Sequence, residues 1–142
     1  MSFDLKIING DLNIKNADLE KVENSDKLYQ EILKICITPI GANKFNPGYG
    51  SLLSKILIGS VLPEGFLIDN AKSQIRNSLE NLQKLQSKQI GYQQVTAAEQ
   101  LAAIQSVEVS RNTIDPRFFS VVLRVLAKDF KPLKTDFSVK PI

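Results

Sequence analysis

The stretch that most constrains this chain runs from Leu28 to Gly59, LYQEILKICITPIGANKFNPGYGSLLSKILIG. Leu28, Ile32, Ile35 and Cys36 recur at helical spacing, Tyr29 and Leu33 widen the stripe, and Asn24 and Ser25 offer cap oxygens before it. Pro39 has no N–H and disfavours helical geometry at Thr38, so the helix has to stop there. Gly41, Pro47, Gly48 and Gly50 then crowd into one turn, too many backbone specialists for a regular element. From Ser51 to Ile58 the pattern is that of a short helix, stopped by Gly59.

Elements on either side complete an α+β order. Phe3, Leu5 and Ile7 alternate with polar residues, as do Leu12 and Ile14, and Asn9-Gly10 between them suits a type I′ turn, so residues 3–15 are expected to form an N-terminal β-hairpin. The break at Pro63 to Gly65 leads into a helix over about Phe66 to Ser87, with Leu67, Ala71, Ile75, Leu79, Leu82 and Leu85 as its apolar stripe. These make three main helices within residues 25–87. Thr96-Ala97-Ala98-Glu99 matches a capping box and predicts one helical turn to Ala103. From Ile104 the period becomes two. Val107 and Val109 alternate with polar residues, 118–126 reads as a strand buried on both faces, and Leu133, Thr135, Phe137 and Val139 alternate again. The loop 111–117, with Asp115-Pro116, joins the first two of these strands. Residues 104–139 are thus expected to form an antiparallel sheet, and Pro132 and Pro141, bracketing its last strand, mark that strand as an edge.

The chain is 142 residues long, 43% hydrophobic and 23% charged, the size and composition of one soluble domain spanning 1–142. No apolar run approaches the ~20 residues of a membrane span, and the N-terminus lacks a signal pattern, so a cytoplasmic protein, or one packed into a particle assembled there, is expected. A net charge of +3 is a weak field. Arg124, Lys128, Lys131, Lys134 and Lys140 gather near the end, partly offset by Asp129 and Asp136, and suit a solvated sheet edge, or a contact with an acidic partner, better than a nucleic-acid face.

The residues offer little chemistry. There is no histidine, hence neither the commonest general base nor the usual zinc nitrogen. Cys36, the only cysteine, sits on the apolar side of its helix, which works against a reactive thiolate. The glycine-rich turn lacks the spacing of a phosphate cradle. Glu64, Asp69, Glu80 and Glu99 fall at helix ends or on helix surfaces, where capping and solvation account for them without the paired carboxylates of a glycosidase. No catalytic residue, cofactor or metal site is expected.

The leading hairpin, the helix, the Thr-x-x-Gly break and the Tyr-Gly entry to the next helix together resemble the small baseplate wedge family of contractile phage tails and related injection systems. Asp4-Leu5 and Gly10-Asp11-Leu12 match its hairpin; Gln30, Ile32 and Leu33 its first helix; Thr38 and Gly41 the break; Tyr49-Gly50 and Leu53 the next helix, all within residues 4–60. The family commonly carries a Glu-Pro-Arg motif before its first late strand, where the subunit meets the bundle of larger wedge proteins. The matching place here reads Glu99-Gln100-Leu101, in which only the glutamate agrees, and the capping box accounts for Glu99 equally well. The resemblance implies a structural subunit of a virion tail baseplate, present in multiple copies in a symmetric assembly, that joins the wedge core to the tail sheath and starts sheath assembly. Its implied partners are the larger wedge proteins, the sheath protein and tail tube or hub proteins, with neither nucleic acid nor membrane. The strand of Leu133, Thr135, Phe137 and Val139 supplies the free edge that strand addition requires. Cutting the chain after Pro132 is expected to leave a soluble helical domain. The alternatives are a lysozyme-like baseplate enzyme and the equivalent subunit of a type VI secretion system.

Overall fold

The computed structural model describes residues 3–8, 11–53, 64–115 and 118–139. Asn9-Gly10, most of the expected helix over 51–58, Gly59, Pro63, Pro116, Lys140 and Pro141 lie outside these. The chain is α+β as expected. Among the described residues two α-helices stand between N-terminal β-strands and a three-stranded antiparallel sheet.

The N-terminal part is not one hairpin over 3–15. Six two-residue strands form three antiparallel leaves: β1 (Asp4–Leu5) with β6 (Lys21–Val22), β2 (Ile7–Ile8) with β3 (Asp11–Leu12), and β4 (Ile14–Lys15) with β5 (Asp18–Leu19). At the centre Lys6 donates its amide to the Glu20 carbonyl (2.8 Å), Glu20 to that of Asn13 (2.9 Å) and Asn13 to that of Lys6 (3.0 Å), closing a ring. The same three side chains meet: Lys6 pairs with Glu20 at 3.4 Å and Asn13 donates to the other Glu20 oxygen. Asn13 above all, opposed by burial and helped by Lys6, holds the Glu20 carboxyl below its ordinary value. The sequence carries the repeat that builds this cap. Asp-Leu recurs at 4, 11 and 18, each aspartate accepts the following leucine amide at 2.8–2.9 Å, and the ring residues follow at 6, 13 and 20. Asn16 and Ala17, both at positive φ, make the turn of the third leaf.

Helix α1 (Asn24–Ile37) ends where Thr38-Pro39 required, with Thr38 extended (ψ 125°). Its cap differs from expectation: Glu23 holds the cap position without a side-chain bond, and the Asn24 oxygen instead accepts the Thr96 hydroxyl at 2.9 Å. The turn after it is a fixed knot. Ser51 donates its amide to the Thr38 carbonyl (2.8 Å), Ile40 to that of Ser51 (3.2 Å), and the Ser78 hydroxyl reaches the Gly50 carbonyl (3.1 Å). Gly41 and Tyr49 also spend their amides on carbonyls of the same turn, of Pro47 and Asn46.

Helix α2 (Glu64–Gln89) contributes Leu67, Ala71, Ile75, Leu79 and Leu82 to the core, joining Leu28, Ile32, Ile35 and Cys36 of α1. The capping-box segment makes only a 3₁₀ turn (Ala97–Glu99), because the strand begins at once. The sheet orders as β7 (Leu101–Arg111), β8 (Phe119–Ala127) and β9 (Pro132–Val139). Strand β7 starts before Ile104, through register irregularities at 101–103 and 104–106 that hide its alternation. Both helices lie on one sheet face, α2 along β7 and α1 along β9. Phe119, Val121, Leu123, Val125 and Ala127 point inward to them. Strand β8 is therefore buried on one face, not two. Its outward Ser120, Val122 and Leu126 are half-buried and Arg124 is exposed, since a neighbouring strand on each side, with no second layer among the described residues, shields them.

Candidate partner-binding surfaces

Glu99, Gln100 and Leu101 lie where α1, α2 and β7 converge, and all three are buried, at 1%, 8% and 2% exposure. Gln86 of α2 organises the junction. Its amide nitrogen donates to the Glu99 carbonyl (3.0 Å) and to a Glu31 oxygen (2.8 Å), while its oxygen accepts the Leu101 amide (2.8 Å). Glu31 in turn pairs with the buried Lys27 at 3.1 Å. One Glu99 oxygen takes the Thr96 amide at 2.8 Å, the glutamate half of the capping box; the other is buried with no hydrogen-bond partner among the described residues. Glu99 is thus not a helix-surface carboxylate, as its place in the sequence suggested, because the 3₁₀ turn carries it into the gap between the helices. Gln100 gives its carbonyl to the Lys128 amide (3.0 Å), tying the β8–β9 turn to the same point. All three side chains are packed inside the chain. Beside them Ala97 and Lys128 are exposed.

The sheet edge reads differently from the side chains that were expected to mark it. Leu133, Thr135, Phe137 and Val139 face the core, Thr135 fully buried, while Lys134, Asp136 and Ser138 are exposed. Backbone direction follows from Pro132, which has no N–H. It faces Leu126, and the Ala127 amide reaches the Lys131 carbonyl at 3.2 Å, which makes Leu126 and Pro132 a non-hydrogen-bonded pair. The register then runs unbroken to Phe119 and Val139. By alternation the four inward residues spend their backbone groups on β8, and those of Lys134, Asp136 and Ser138 face the open side. Among the described residues no strand pairs with that side. Lys134 and Asp136 lie 3.9 Å apart along it, a mixed-charge rim of the kind that discourages indiscriminate pairing.

Burial pushes the Cys36 thiol up to about 12, so it stays protonated at neutral pH. Glu80 is exposed on α2, and among the described residues no cluster of three or more histidine, cysteine, aspartate or glutamate side chains could hold a metal. No helix among them is long and apolar enough to cross a membrane.

No protein-family model matches the chain, and no curated protein matches it. Among solved structures it is similar to a "putative tail lysozyme" from Geobacter sulfurreducens, with a TM-score of 0.60 and 9% sequence identity over 82% of this chain and 90% of that one. At that identity the likeness is one of fold alone.

Proposed function

We propose that this protein is a structural subunit of a contractile-tail baseplate, part of the virion tail or of an equivalent injection machine. It joins the wedge core to the tail sheath and starts sheath assembly by accepting a strand on the open side of β9. One observation carries the reading: the backbone groups of Lys134, Asp136 and Ser138 face the open side of a strand whose alternate side chains, Leu133, Thr135, Phe137 and Val139, are turned into the core. A rigid edge with unspent donors and acceptors is what strand addition needs. The fold likeness to a tail-named protein is consistent with it. In this reading no residue is catalytic, and the junction of Glu99, Gln100 and Leu101 serves the wedge contact from within, by fixing the surface of Ala97 and Lys128 that a wedge protein would touch.

Asp136→Pro tests the edge. It removes one outward N–H and leaves the β8 ladder whole, and proline is tolerated on edge strands. The variant should fold normally yet fail to nucleate sheath when assembled with the wedge and sheath proteins of its own system. Normal sheath assembly by Asp136→Pro and by Lys134→Pro would sink the proposal. Clearing of peptidoglycan by the purified protein, abolished by Glu80→Gln, would favour a hydrolase instead.

A further inference from the structure

The first leaf of the cap is where α1 docks. At the first leaf, Gln30 of α1 donates to Asp4 (3.0 Å) and to the Leu5 carbonyl (2.7 Å) and accepts the Ile7 amide (2.9 Å), and Lys34, one turn on, pairs with the same Asp4 oxygen. Val22, opposite Asp4, is covered beside it at 8% exposure. The leaf geometry makes these groups available. Leu5–Lys21 and Ile7–Leu12 are non-hydrogen-bonded pairs flanked by the ring bonds, so the Leu5 carbonyl and Ile7 amide point outward.

Seven residues later the set recurs. Asp11 stands for Asp4, Ile8 opposite it for Val22, the Leu12 carbonyl for that of Leu5, and the Ile14 amide for that of Ile7. Here nothing in the described structure covers them: Ile8 is 43% exposed, Leu12 46% and Ile14 69%. The third position departs from the pattern. Lys15 faces Asp18, Lys21 replaces the isoleucine, and the Lys21 ammonium sits 4.4 Å over the Phe3 ring. Two lysines there would repel the ammonium that the first site takes. The second position alone keeps both the acceptor set and the apolar neighbour.

We infer that Asp11, Ile8, Leu12 and Ile14 form a second helix-docking site, and that its occupant is a helix of another protein carrying a carboxamide side chain and, one turn later, a lysine. The occupied first site defines that chemistry: the carboxamide bridges a carbonyl and an amide, the lysine neutralises the aspartate, and an apolar flank covers the isoleucine. The inference does not depend on the tail reading.

The test uses the full chain, ¹⁵N-labelled, and a helix-stapled peptide of residues 24–37 with Cys36→Ser, which bears the Gln30 and Lys34 pair. Titration should move the amide signals of Leu12, Asn13 and Ile14. Asp11→Asn should weaken binding about three- to fivefold, the worth of a partly exposed ion pair. A peptide with Lys34→Glu should lose binding to the natural chain and regain it with Asp11→Lys. Signals that stay still at about millimolar peptide, that move only at 4–7, or that ignore Asp11→Asn would overturn the inference.

Discussion

On the side of β7 away from β8, Gln86 serves the Leu101 amide as a second strand would: its side-chain oxygen accepts that amide at 2.8 Å, just where β7 has left the 3₁₀ turn. The same amide group holds the Glu99 carbonyl. Gln86→Ala strands a buried N–H and a buried C=O together, so it should cost about 1–3 kcal/mol. Gln83→Ala, whose bond to the Ala102 carbonyl is solvent-exposed, should cost under about 0.5 kcal/mol. Urea unfolding of the two variants measures the contrast.

Gly50 sits at φ +117°, and a Cβ there would collide with the Thr38 carbonyl oxygen and lie 3.1 Å from that of Pro39. Those atoms belong to the backbone knot that ends α1 and cannot swing aside. Gly50→Ala should destabilise by about 2 kcal/mol or more. Gly65→Ala, with open space around its Cβ inside α2, should be neutral or mildly stabilising. Thermal unfolding separates them.

Partial burial alone would raise the Asp4 carboxyl, but hydrogen bonds from Lys34 and Gln30 outweigh it and hold the carboxyl below its ordinary value. A depressed carboxylate stabilises the folded state above its unfolded pKa of about 3.9 and loses that contribution as pH falls through the folded value. The thermal midpoint of the natural chain should therefore fall more steeply below about pH 4 than that of Asp4→Asn, with the two curves converging at the acid end. Parallel curves would mean that Asp4 does not anchor the cap to α1.

Cys36, buried and raised to about 12, should ignore a thiol reagent at pH 8 in the folded protein. Reaction should appear with denaturant in step with loss of helix signal. Labelling that precedes unfolding would place the thiol outside the core.

Much of the fold was legible because its apolar periods are long. The stripe of Leu28, Ile32, Ile35 and Cys36, the stop at Thr38-Pro39 and the stripe from Leu67 to Leu82 all stand where spacing puts them. The cap was not legible as a hairpin pattern, since two-residue strands are too short to show a period and β1 pairs with β6 across two other leaves. Its signal was the Asp-Leu recurrence at 4, 11 and 18. At the candidate sites, alternation picked out the strand but named its inward residues, whereas the backbone groups on the open side belong to the intervening ones. Burial of Glu99 had no local sign at all. Nor is β9 removable: Thr135 and Val139 are core residues, so a chain cut after Pro132 should expose Leu123 and Val121, bind hydrophobic dyes and aggregate.

The ring at the centre of the cap has a consequence in time. Lys6, Asn13 and Glu20 each give one backbone bond and take one, head to tail, with no free end from which to fray. An ordinary ladder opens from its last rung, but a closed circuit opens only by losing a member, and the polarisation that its bonds lend one another goes with it. Solvent deuterium should therefore reach these three amides in a single opening event at one common rate, although they lie far apart in sequence and the leaves around them breathe independently.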